Sequence, residues 1–188
     1  MRKILAAFAM LAVLVLPASA RTYKLDNGEI SFEAPDEFKP MSKELIRLKY
    51  PRGTPPRYVL ATASTQTSIA YDLKPHNIPQ KDIEKLRTAF TRLLPRIIPG
   101  LKWIDNRIID LSGQKWVLLE MTSHAIDTDI HNIMLLTGHK GQMLVFNFNS
   151  TKKEFPKHEA ALRKAIKSIN LKTPPVGETP PVRNSGKK

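Results

Sequence analysis

The chain has 188 residues, 41% of them hydrophobic and 25% charged, with no cysteine and with 30 Lys+Arg against 17 Asp+Glu for a formal charge of +13. Apolar content of that size buries one ordinary core, which excludes a disordered chain, a multidomain enzyme and a disulfide scaffold. Without cysteine, thiol catalysis, iron–sulfur ligation and zinc–thiolate sites are excluded too.

The N-terminus has the layout of a cleavable secretion signal. Arg2 and Lys3 precede 13 uninterrupted apolar residues, Ile4 to Leu16, and then come the breaker Pro17 and the small-x-small triplet Ala18-Ser19-Ala20. So short a run does not reach the roughly 20 residues that cross a bilayer core. The expectation is a signal peptide at residues 1–20, cleaved after Ala20, and a periplasmic or secreted protein. It would have no transmembrane anchor and, lacking a cysteine to accept lipid, no lipid anchor. Loss of Arg2 and Lys3 leaves 28 cations against 17 anions, a charge of +11. Residues 172–188 hold four prolines and little that is apolar, and read as a disordered basic tail. Lys172, Arg183, Lys187 and Lys188 against Glu178 give that tail +3, so +8 remains on the single globular domain expected at residues 21–171.

Within that domain, Thr22 to Leu25 and Ile30 to Ala34 read as a hairpin around Asp26-Asn27-Gly28, since Asn-Gly supplies the positive φ of tight turns. Ser42 caps a short helix to Tyr50, and a Pro-rich loop follows at Pro51 to Pro56. Tyr58 to Ala63 and Ser68 to Leu73 form a second hairpin. A helix starts near Asn77 to Pro79 and places Ile83, Leu86, Phe90 and Leu93 or Leu94 on one face; Pro95 is expected to kink or end it near Leu93. Four strands follow, Trp103 to Leu111, Gln114 to Thr122, Ile130 to Thr137 and Gln142 to Ser150. Their connections are too short for parallel crossovers, so they form an antiparallel meander. A last helix opens with Pro156 and carries Leu162, Ala165, Ile166 and Ile169 on one side. Strands apolar on both faces require cover on both, so the fold class is α+β, an antiparallel sheet in an α/β/α sandwich.

The stretches ISFEAPDEF (Ile30 to Phe38), WIDNRIIDLSGQKWVLLEM (Trp103 to Met121) and EAALRKAIKSI (Glu159 to Ile169), in this order around a central helix, resemble the PsbP-like and Mog1-like fold family, which includes periplasmic proteins of the DcrB type. The resemblance covers about residues 22–171 and implies an accessory or binding role with no shared catalytic residues and no cofactor. DcrB-type proteins are often lipid-anchored, and the absent cysteine departs from that pattern.

For chemistry, the chain contains no nucleophile elbow, no phosphate-cradling glycine loop and no His-Glu-x-x-His. His124, Asp127, Asp129 and His131 form the one polar cluster. On an extended chain Asp127, Asp129 and His131 share a face, where two carboxylates and an imidazole could hold a divalent metal or pair as base and orienter. The second feature is basic. Lys81, Lys85, Arg92 and Arg96 fall within roughly 60° of arc on one helix, a ridge suited to acidic protein surfaces or anionic polymers. Lys157, Arg163, Lys164 and Lys167 add cations to the last helix. Base-stacking aromatics are not interleaved with these charges, and export removes nucleic acid from reach, so that partner is not expected. The favoured reading is an exported, non-catalytic binding or accessory protein for an acidic protein or anionic envelope partner. The alternative is a small exported metal-dependent hydrolase built on the histidine–aspartate cluster.

Overall fold

The computed structural model describes residues 19–51, 53–125 and 128–172. The signal peptide and the basic tail therefore fall, apart from Ser19, Ala20 and Lys172, outside the described residues. Strand β1 (Ala20–Leu25) pairs antiparallel with β2 (Ile30–Pro35), the two joined by a turn in which Asp26, Asn27 and Gly28 all take positive φ. The two-residue β3 (Lys39–Pro40) leads to α1 (Lys43–Lys49), whose first turn is capped where Leu45 N–H donates to Ser42 Oγ. The hairpin β4 (Tyr58–Ala61) and β5 (Thr67–Lys74) precedes α2 (Ile83–Ile97), and the meander follows as β6 (Lys102–Leu111), β7 (Gln114–His124), β8 (Asp129–His139) and β9 (Gln142–Thr151). The chain ends in α3 (Phe155–Lys167), with Pro156 in its first turn, and β10 (Asn170–Leu171).

Seven strands form one sheet in the order β3-β4-β5-β9-β8-β7-β6. The meander is antiparallel throughout, as its short turns require. The first hairpin does not extend this sheet. It pairs instead with β10 in a separate three-stranded sheet, β1-β2-β10, through Ser31↔Asn170 and Ile30↔Leu171. That small sheet and α3 together cover one face of the large sheet, around the fully buried Trp116, Phe146 and Phe148. The opposite face is covered by α2, through Ile83, Leu86 and Leu94 against Val117, Leu119 and Met121, and by α1, through Ile46 against Val59 and Ala70. The sandwich expected from the sequence is present, with a β layer sharing one side.

Both ends of α2 differ from the sequence reading. A 3-10 turn at Gln80–Asp82 precedes α2, so the helix starts four residues beyond Pro79. It also runs through Pro95 to Ile97. Proline in a last turn forfeits a single hydrogen bond, here the one to the Thr91 carbonyl, and burial of Leu94 holds that turn on the sheet.

Candidate functional site

Because α2 continues past Pro95, Lys85, Arg92 and Arg96 lie within about 40° of one another on its solvent side, and Lys81 sits just ahead on the 3-10 turn. All four are exposed. Lys85 is partly neutralised by Asp82 at 2.7 Å, and on the flank Arg87 is paired with Glu84. Lys81, Arg92 and Arg96 have no carboxylate within 4.0 Å among the described residues. A shallow depression of about 310 Å³ between Lys85 and Arg92 lies along this surface. Phe90 turns toward the core.

The histidine–aspartate cluster separates. His124 and Asp129 are directly opposed across the β7–β8 pair, and His124 Nδ1 lies 2.6 Å from Asp129 Oδ1 on an exposed hairpin end. The His124 hydrogen bond, aided by Lys152, holds the Asp129 carboxyl below the usual range. His131 does not join them: its Nε2 donates to Glu120 Oε1 at 2.7 Å, and its ring stacks on Phe155 with centroids 3.4 Å apart. Asp127 lies outside the described residues, among which no group of three His, Cys, Asp or Glu side chains is arranged to hold a metal. Among the described residues the cluster read from strand alternation is thus split, since each imidazole is engaged by a different carboxylate.

Glu120, passed over in the sequence, organises this end of the fold. It stands on β7 with the same parity as Trp116 and Leu118, and so faces the core layer under α3. Its side chain is 5% exposed, and it accepts hydrogen bonds from His131 and from both terminal nitrogens of Arg163, at 2.8 and 3.2 Å. Arg163 Nε in turn donates to Glu159 at 2.8 Å. Burial raises the Glu120 pKa, but the hydrogen bonds from His131 and Arg163 outweigh it and bring it down to about 2. The signal was a charged residue at an inward position of an apolar strand, which demands a partner.

A cavity of about 700 Å³ opens between α1, the β4–β5 turn and the start of α3. At its base His158 is buried, with Nδ1 at 3.2 Å from Glu37 and Nε2 at 3.6 Å from Glu154. Met41 and Leu45 form an apolar wall. With two carboxylates, two lysines (Lys39 and Lys157) and one histidine at its rim and base, the cavity carries no consistent sign of charge.

No family model matches the chain, and no curated protein matches its sequence. Solved structures do match its fold. PsbP of Synechocystis sp. aligns at a TM-score of 0.58 and 14% identity, over 84% of this chain and 95% of that one. The Saccharomyces cerevisiae Ran-binding protein Mog1p aligns at 0.53 and 11%, over 82% and 96%. LpqN of Mycobacterium tuberculosis, involved in cell envelope biogenesis, aligns at 0.53 and 12%, over 82% and 91%. No helix among the described residues is long and apolar enough to cross a membrane. The order of elements, the seven-stranded sheet and these alignments together give the chain a PsbP/Mog1-like fold.

Proposed function

We propose that this protein is an exported, non-catalytic binding or accessory protein, periplasmic or secreted, whose folded part recognises an acidic protein or other anionic envelope partner through the outer face of α2. The observation that carries this reading is the exposed trio Lys81, Arg92 and Arg96, unneutralised within the described residues, on a chain of formal charge +13. Unpaired surface cations of one sign raise the local potential and steer an oppositely charged partner to the surface, with a strong dependence on salt. The outer face of α2 offers no aromatic platform for bases, because Phe90 points inward. A protein partner is supported by the naming of one structural neighbour, Mog1p, as a Ran-binding protein.

The test is capture of partners from envelope extract at low and high salt, with the chain expressed from Arg21. The triple variant Lys81→Glu, Arg92→Glu, Arg96→Glu is expected to lose at least tenfold in bound partner at low salt. Equal capture by wild type and variant, with equal salt dependence, sinks the assignment of the surface.

A further inference from the structure

Among the described residues five large hydrophobic side chains are exposed: Leu45 and Leu48 on α1, Leu93 and Ile97 on α2, and Ile104 at the bulge of the edge strand β6. None lies on α3 or in the small sheet. Four of the five therefore belong to the helix layer on one face of the large sheet. Helices that pack on a sheet ordinarily turn polar residues outward, and these two do not do so consistently. Leu48 stands about 160° around α1 from the buried Ile46 and is 77% exposed. Ile97, in the last turn of α2, is 61% exposed.

Three of these side chains each follow an exposed arginine, as Arg47-Leu48, Arg92-Leu93 and Arg96-Ile97. Like Arg92 and Arg96, Arg47 and Lys43 have no carboxylate within 4.0 Å among the described residues. On α1 a single acid, Glu44, stands against Lys43, Arg47 and Lys49. The opposite face supplies a comparison. There α3 exposes Lys164 and Lys167 but no large hydrophobic side chain. Positive charge is thus present on both faces, and positive charge bordering exposed aliphatic side chains is confined to the α1–α2 layer.

A protein interface gathers its apolar side chains into a core from which charge is depleted. Here they form two small pairs on separate helices, Leu45 with Leu48 and Leu93 with Ile97, each bordered by arginine. The headgroup region of a bilayer accepts that alternation, because an aliphatic side chain enters between lipids while its cationic neighbour meets phosphate. A guanidinium suits the second role, since its fork of donors matches two phosphate oxygens. We propose that the α1–α2 layer docks this protein on an anionic lipid surface, with Leu48, Leu93 and Ile97 entering the headgroup region and Arg47, Arg92 and Arg96 on the phosphates. Attachment of this kind is peripheral, reversible and weakened by salt. This inference rests on the reading of α2 as an anion-binding surface and narrows its partner to lipid phosphate.

The experiment measures co-sedimentation of the chain expressed from Arg21 with vesicles of phosphatidylglycerol mixed into phosphatidylcholine, and with vesicles of phosphatidylcholine alone. Wild type is expected on the mixed vesicles only, with binding that falls as salt rises. Leu48→Ser with Ile97→Ser, both at exposed positions and expected to melt with wild type, should weaken binding by at least about fivefold. Arg47→Glu with Arg92→Glu should weaken it by at least about tenfold. Lys164→Glu with Lys167→Glu, the same change of charge on the opposite face, should weaken it by less than about threefold. No binding to the mixed vesicles, equal binding to both kinds, binding unaffected by the serine pair, or as large a loss from the α3 variant would each overturn the proposal. Capture of a protein from detergent-treated envelope extract that depends on Lys81, Arg92 and Arg96, with no vesicle bound, removes this inference and leaves the binding-protein reading standing.

Discussion

Replacing Glu120 with glutamine keeps the shape of the side chain and removes the charge on which Arg163 and His131 converge. With the folded pKa lowered from 4.5 to about 2, ionised Glu120 contributes about 3 kcal/mol at neutral pH. Removing one partner of a buried ion pair ordinarily costs about 3–5 kcal/mol. Here Arg163 is 42% exposed and keeps Glu159, so it can rehydrate, and Glu120→Gln should cost about 2–3 kcal/mol at pH 7. The pH dependence has a fixed sign. A carboxylate with a depressed folded pKa contributes fully above its unfolded value of about 4.5, and that contribution disappears as pH falls through about 2. Urea unfolding followed by tryptophan fluorescence, with fully buried Trp116 as reporter, should show the gap between wild type and variant closing from pH 5 to pH 2. A gap below about 0.5 kcal/mol at pH 7, or one that does not change with acid, would refute the assignment of Glu120 as the anchor of α3.

Three other outcomes are expected. Gly138→Ala places a Cβ 1.8 Å from the Ile78 carbonyl oxygen, a backbone atom, and should destabilise by about 2–4 kcal/mol in the same assay; a melting temperature equal to wild type would contradict the close approach. His139 is buried, its Nε2 without a hydrogen-bond partner among the described residues, and burial, reinforced by Lys140, lowers its pKa from 6.5 against the weaker pull of Asp26 and Glu29. Its neutral form therefore supports the fold above pH 6.5, and that support fades as pH falls below it; a ring-proton NMR titration with a midpoint at or above 6.5 would be inconsistent with this environment. Trp116→Ala removes a fully buried ring whose Nε1 donates to the Leu111 carbonyl at 2.9 Å, and should cost about 3–5 kcal/mol, measured by denaturant midpoint; a loss under about 1 kcal/mol would mean that the core is not centred there.

The elements that are local in sequence were legible in it. Alternation and short turns define the β6–β9 meander, Asp26-Asn27-Gly28 closes the first hairpin, and Ser42 caps α1, because each is set by residues within a few positions of one another. The basic side of α2 was legible for the same reason, and it gained a full last turn because burial of Leu94 outweighs one hydrogen bond lost at Pro95. What the tertiary structure decided depends on partners far apart along the chain. Pairing of β5 with β9 joins the second hairpin to the meander, and β10 draws the first hairpin into a sheet of its own; no local pattern encodes either choice. The separation of His131 from His124 and Asp129 has the same origin. Strand alternation correctly puts Asp129 and His131 on one face, but Arg163 and Phe155 arrive there from α3 and, with Glu120, draw His131 away. Periodicity states which way a side chain points, and only the packed fold states what it meets there.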